Sequence, residues 1–92
     1  MRTADELMTE LADVVRRTFP DRDFPEPVDA HTRAFADLGL ASIELVVLAE
    51  RLDAHFGKRL PFGTFLKGLR DRGADDLPLG ELVAFLQAHV HT

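Results

Sequence analysis

From Ser42 to Phe56 the chain runs without a glycine or a proline, and a segment of that length rich in helix formers has one economical local structure, the α-helix. Ile43, Leu45, Val46, Leu48, Ala49, Leu52 and Phe56 fall in a broad apolar stripe at helical spacing. Ser42 stands where an N-cap or first-turn residue belongs, and Gly57 is placed to close the helix in a left-handed C-cap. A helix with so much apolar surface must be covered, so the rest of the chain has to supply its packing partners.

The flanking segments have the right periodicity to do so. Thr3 followed by Glu6 forms a capping-box pattern, in which hydroxyl and carboxylate satisfy free amides of a first turn. Leu7, Leu11, Val14 and Val15 then recur on one face, with Met8 and Phe19 as additions to it, and Pro20 ends that helix. Asp5, Glu6, Glu10 and Asp13 come early and Arg16 and Arg17 late, the order that the helix dipole favours. Between Pro20 and about Leu40 the periodicity is lost, with prolines at 20, 25 and 27. A loop this long in a small domain is commonly functional, and Phe24, Val28 and Phe35 are expected to fold inward and pin it. A short helix after Pro61 carries Phe62, Phe65, Leu66 and Leu69 and ends by Gly73. A last one runs from about Pro78 to His89 with Leu79, Leu82, Val83, Phe85, Leu86 and Val90 inward, its cap being Asp76, Leu77 or Pro78. No segment shows strand alternation or an internal repeat. The expectation is an all-α four-helix bundle, three main helices and one short one with a long first loop, in a single domain over residues 1–92.

Composition narrows the functions open to such a bundle. The chain has no cysteine, which removes disulfides, a cysteine nucleophile and thiolate metal sites, so thiol chemistry would have to arrive on a cofactor. The formal charge of −5 disfavours nucleic acid, whose phosphates call for a basic face, and suits docking onto basic patches of other proteins. No apolar run is long enough to span a bilayer, and the N-terminus lacks the apolar core of a signal peptide, so a cytoplasmic monomer is expected. Arginine greatly outnumbers lysine and asparagine is absent, a bias typical of a GC-rich genome.

The stretch Phe35-Ala36-Asp37-Leu38-Gly39-Leu40-Ala41-Ser42-Ile43-Glu44-Leu45 resembles the modification motif of acyl carrier proteins. That pattern reads Phe, any residue, Asp, Leu, Gly, Leu, Asp, Ser, then Leu or Ile. Leu52-Asp53-Ala54-His55-Phe56-Gly57 with Leu60-Pro61 is similar to the end and exit of the family's second helix, and Pro78-Leu79-Gly80-Glu81-Leu82-Val83 to the start of its last. The resemblance covers essentially the whole chain. It implies a non-enzymatic carrier with 4'-phosphopantetheine attached covalently to Ser42 from coenzyme A. It further implies a phosphopantetheinyl transferase, an acyl-loading enzyme (an adenylating ligase or an acyltransferase) and downstream synthase or transferase enzymes as partners. The physical reading agrees, because Ser42 follows a Gly-Leu-Ala turn at the head of a strong helix, where free amides and the dipole favour a phosphate. Leu38, Leu40 and Ile43 are expected to anchor that turn in the core.

The chain departs from the family at Ala41, which replaces the usual acid before the serine, and along the second helix. There Val47 stands where fatty-acid carriers have an acid, and Glu50 where they show an apolar residue. The partner-docking surface is therefore expected at Asp37, Leu40, Ala41, Ile43, Glu44, Val46, Val47 and Glu50. That altered face, the GC-rich bias and the Gly-Leu-Ala-Ser form, closer to acyl than to peptidyl carriers, point to polyketide or hybrid polyketide/nonribosomal-peptide biosynthesis. The position of Met1 just before the first helix points to a discrete carrier. Lys58, Arg59, Lys67, Arg70 and Arg72 gather around the third helix, opposed by Asp71, and read as a solvated face. Among the histidines, His89 and His91 lack a third ligand to complete a metal site, and nothing in the spacing places His31 or His55 for a triad with Ser42. An unmodified carrier-like interaction module, and a small regulatory bundle in which Ser42 is only a helix cap, are the competing readings.

Overall fold

A computed structural model of the chain describes residues 3–24 and 28–90. Its helices are α1 (Ala4–Thr18), α2 (Ser42–Phe56), α3 (Phe62–Asp71) and α4 (Leu79–Val90). The expected all-α bundle is what forms. Among the described residues, extended pairing is confined to an isolated antiparallel bridge between Arg33 and Pro78. Pro25, Pro27 and His91 lie outside the described residues.

Helix α1 begins as its capping pattern requires: the Thr3 hydroxyl accepts the Glu6 amide at 3.1 Å and meets the Glu6 carboxylate at 3.3 Å. It buries Leu7, Leu11, Ala12, Val14 and Val15 and packs on α2 and α4. Helix α4 buries Leu79, Leu82, Val83, Phe85 and Leu86. Helix α3 leans on it through Phe62 and Phe65, whose rings lie 5.0 and 4.6 Å from Phe85. The seam that Leu45, Leu48, Leu52, Phe62 and Leu82 share between α2, α3 and α4 holds a void of only about 10 Å³, too small to house more than one water.

One sequence expectation changes. The broad stripe on α2 is narrower than its composition implied: Leu45, Leu48 and Leu52 are buried, whereas Ile43 is 69% exposed, Val46 43% and Val47 37%. Ile43 is therefore not a core anchor. At 100° per residue it points almost opposite to Leu45, and it shares a face with Val46, Val47 and Glu50. Helix α4 starts at Leu79, directly after Pro78, one of the three expected cap positions. The Leu79 amide donates to the Thr32 carbonyl at 2.8 Å and the Gly80 amide to the Ala30 carbonyl at 3.0 Å, so the long loop itself satisfies the orphan donors of the first turn. Gly80 permits this approach, since a Cβ there would sit 3.0 Å from the Ala30 Cβ and 3.1 Å from its carbonyl oxygen.

Asp76 secures the same junction. One of its oxygens accepts the Phe35 and Leu77 amides, both at 2.8 Å, and the other accepts the Ala36 amide at 3.0 Å. With Ala34 N–H to the Leu77 carbonyl at 2.9 Å, these bonds fasten the segment before Ser42 to the α3–α4 connection. Phe24, Val28 and Phe35 pack inward against the core as expected, and Thr32 and Ala34 are buried with them.

Burial acts to raise the Asp76 pKa, but the amides of Phe35, Leu77 and Ala36, with Arg33 nearby, outweigh it and hold the group below its ordinary 3.8. A carboxyl whose folded pKa is depressed stabilises fully above its unfolded pKa and loses that contribution as pH falls through the folded value. Asp76→Ala is expected to cost about 2 kcal/mol at neutral pH, the scale of hydrogen bonds to a charged group. In urea unfolding, the gap between variant and wild type should close as the pH drops below 3.8.

Candidate functional site

The turn that presents Ser42 is held from both sides. Leu38 and Leu40 are each 4% exposed, so both anchor the turn in the core; Leu40 belongs to that anchor and its side chain offers no docking contact. Between them Gly39 adopts φ 70°, a conformation costly for residues bearing a Cβ. Backbone bonds close the turn, Gly39 N–H to the Phe35 carbonyl at 3.0 Å and Leu40 N–H to the Ala34 carbonyl at 3.1 Å. Asp37 takes the Arg33 amide at 2.8 Å and the Arg33 Nε at 3.4 Å. Those bonds, the amide's above all, hold its carboxyl below the ordinary value.

Ala41 is the N-cap of α2, extended at φ −83° and ψ 163°, and Ser42 is the first residue inside the helix. An alanine offers no side-chain acceptor to the first turn. The available bonds are to its backbone: its carbonyl accepts the Glu44 and Leu45 amides at 3.0 and 3.1 Å, and its amide donates to Glu44 Oε1 at 2.9 Å. The amides of Ser42 and Ile43 have no upstream helical carbonyl to meet. They lie at the positive end of the helix dipole beside the exposed Ser42 hydroxyl, a setting that favours an anion at that oxygen.

Glu44, expected on the docking face, has both of its oxygens engaged within the chain. Oε1 receives the Ala41 amide, and Oε2 pairs with the Arg22 guanidinium. Arg22 also reaches the Gly39 carbonyl at 3.4 Å and lies over the Phe19 ring, 5.2 Å from its centroid. The Ala41 amide first, and then Arg22, hold the Glu44 carboxyl below its ordinary 4.5 against a smaller opposing effect of burial. Nothing in the proline-rich loop marked Arg22 beforehand, and Asp76 was legible only as a possible helix cap. Glu50 is exposed and, among the described residues, forms no ion pair.

Ser42 opens onto a surface cleft of about 640 Å³ between α2 and α3. Phe35, Leu45, Val46, Leu66 and Leu69 give it an apolar floor, Lys67 and Arg70 stand on its α3 side, and Asp75 and Asp76 lie at its end. The histidines are elsewhere. His55, at the far end of α2 from Ser42, meets Glu10 of α1 at 3.0 Å. His89 stacks beside Phe85 at 4.7 Å, and the His31 amide is held by Asp29.

A four-helix bundle that presents a serine hydroxyl at the open head of its second helix, beside a cleft, has the architecture of a carrier domain. The chain belongs to the phosphopantetheine attachment site family, whose pattern matches residues 5–71. Over 58 residues it is 29% identical to the anthracycline acyl carrier protein DauA of Streptomyces sp. (strain C5), an alignment covering 63% of this chain and 69% of that relative. The anthracycline acyl carrier protein DpsG of Streptomyces peucetius matches to the same extent, 29% over 58 residues. No solved structure matches. Family membership makes the chain a carrier that works through covalent 4'-phosphopantetheine and with biosynthetic enzymes, rather than a catalyst. Among the described residues, no helix is long and apolar enough to cross a membrane.

Arg22→Ala should let the Glu44 carboxyl titrate closer to 4.5 while leaving it below that value, because the stronger bond from the Ala41 amide remains. A side-chain carboxyl NMR titration reads this directly. An unchanged titration would show that Arg22 does not hold Glu44 in solution.

Proposed function

We propose that Ser42 Oγ is the attachment point of the arm, and that the loaded chain carries acyl groups in polyketide or hybrid biosynthesis. The observation that carries this reading is the position of Ser42. It is exposed at the first position of α2 and on the rim of the cleft, inside the matched span. The residues present suit the group: uncapped amides at the helix head face a phosphodiester on Ser42, and the apolar floor of the cleft offers the arm a surface to lie on. Once attached, the arm supplies a thiol that holds acyl groups as thioesters.

In the loading step Ser42 Oγ attacks the β-phosphorus of coenzyme A. A P–O bond forms to the serine, the pyrophosphate P–O bond breaks, adenosine 3',5'-bisphosphate leaves, and the hydroxyl proton passes to a base of the transferase. Among the described residues no side chain hydrogen-bonds to the Ser42 hydroxyl, so the base is assigned to the transferase. Ser42, Gly39 and Ala41 provide the reach: the hydroxyl projects from a turn anchored by Leu38 and Leu40 and is clear of the core.

Docking on α2 is assigned to Ile43, Val46 and Val47, whose side chains form an exposed apolar strip, with Glu50 as the acid open to a partner and Ala41 beside the serine. Asp37 and Glu44 flank this surface with their charges already engaged. The partners that this surface serves are the phosphopantetheinyl transferase, an acyl-loading enzyme and downstream synthase or transferase enzymes. The pathway assignment draws support from the two Streptomyces relatives, both anthracycline carriers by name.

Incubation with coenzyme A, magnesium and a broad-specificity phosphopantetheinyl transferase should add one phosphopantetheinyl group to the wild type and none to Ser42→Ala, as read by intact mass. Ala41→Asp should be modified faster than wild type. A folded protein that gains no mass in either form, beside a known carrier that does, would overturn the assignment of Ser42. Val47→Asp should weaken docking to a dedicated downstream enzyme without preventing folding, since Val47 is a surface position; an unchanged complex by titration calorimetry would remove it from the interface.

A further inference from the structure

Of the cations around α3, Arg59 lies off the cleft, and the other four divide into two groups. Lys58 donates to the His89 carbonyl at 2.8 Å, and Arg72 pairs with Glu81 at 3.0 Å. Lys67 and Arg70 are different. They are three residues apart on one face of α3, both line the cleft that Ser42 opens onto, and among the described residues neither forms an ion pair or hydrogen bond. The acids that line the cleft form no ion pair with them. Asp76 is committed to the amides of Phe35, Ala36 and Leu77, and Asp75 makes no ion pair with either. On a chain with a formal charge of −5, Lys67 and Arg70 are two cations with no side-chain partner among the described residues, along an apolar groove beside Ser42.

We propose that Lys67 and Arg70 form an anion-binding rim, which draws a negatively charged group on the Ser42-linked arm across the cleft. Two groups share that chemistry: the phosphodiester at Ser42 and the carboxylate of a carboxyacyl cargo at the arm's far end. The proposal rests on the carrier reading of Ser42. The void of about 10 Å³ between α2, α3 and α4 leaves no room for cargo inside the bundle as it stands, whereas the surface cleft is about 640 Å³. Its apolar floor would cover an acyl chain, and the rim would meet a charge that the floor cannot. A neutral acyl group gains only the floor.

The test compares apo, holo, acetyl-loaded and malonyl-loaded protein, each verified by intact mass, in wild type and in the Lys67→Gln/Arg70→Gln double variant. Glutamine keeps helix propensity on an exposed face. The readouts are the α3 backbone amide NMR shifts of both proteins at low and high salt, the Arg70 Nε–H shift of the wild type, and the rate of thioester hydrolysis. Shifts that appear on malonyl but not acetyl loading, vanish at high salt and are absent from the double variant support the rim with a cargo carboxylate as its anion. Malonyl hydrolysis should then be about two- to fivefold slower in wild type than in the variant, the scale of an exposed ion pair. Shifts that appear already on conversion to holo protein, with the same salt and variant dependence, support the rim with the phosphodiester as its anion. Identical responses in wild type and double variant, or responses indifferent to salt, would overturn it. Absence of the holo mass gain would overturn the underlying carrier reading, and is told apart from those outcomes by the mass spectrum alone.

Discussion

The carboxylate of Asp76, shared among the amides of Phe35, Ala36 and Leu77, is the constraint on which the rest of the molecule depends. The first loop is too rich in proline to make its own secondary structure, and buried backbone without partners is costly. The loop finds those partners in the α3–α4 connection. Asp76 holds its end nearest Ser42, the Ala34–Leu77 bond continues the seam, and the carbonyls of Thr32 and Ala30 in return cap α4. Each side satisfies groups that the other leaves open, so loop and helix are ordered together. With the loop in place Leu38 and Leu40 reach the core, and the turn that carries Ser42 has a fixed foundation.

At the head of α2 the chain meets two opposed requirements. A helix start needs its amides satisfied, whereas an attachment site benefits from amides left open to an anion. Ala41 supplies no side-chain cap, and Glu44 takes the Ala41 amide from inside the first turn. Arg22 then balances the Glu44 charge and draws the end of the first loop segment toward Gly39. The acids flanking the site are thereby used for its construction. What α2 leaves exposed is mainly the apolar strip of Ile43, Val46 and Val47, a composition closer to the core of an interface than to a charged rim.

Much of this was legible in the residues. The four helices, the Thr3 cap, the inward set of α4 and the motif around Ser42 all follow from local pattern. The role of Ile43 was misread because apolar character alone does not say which side of a helix is covered; the direction of Leu45, Leu48 and Leu52 decides it. Arg22 was invisible, since its partner Glu44 lies across the loop, and the choice among the candidate caps of α4 stayed open because the amides of its first turn find their partners in another segment. Lys67 and Arg70 were visible as charge, yet only their place on the cleft beside Ser42 distinguishes them from Lys58 and Arg72.

The sequence by itself determined that four helices form and about where, which residues recur at helical spacing, and that a serine follows a tight turn at the head of the strongest helix. These are consequences of bonds and spacings within a few residues, and local physics is sufficient for them. Tertiary structure alone decided how the long loop is held, which acids remain available to a partner, and which cations border the site. Those outcomes depend on groups far apart in the chain, such as Phe35 with Asp76 and Arg22 with Glu44. No spacing rule specifies such pairings, because they exist only once the core has brought the segments together.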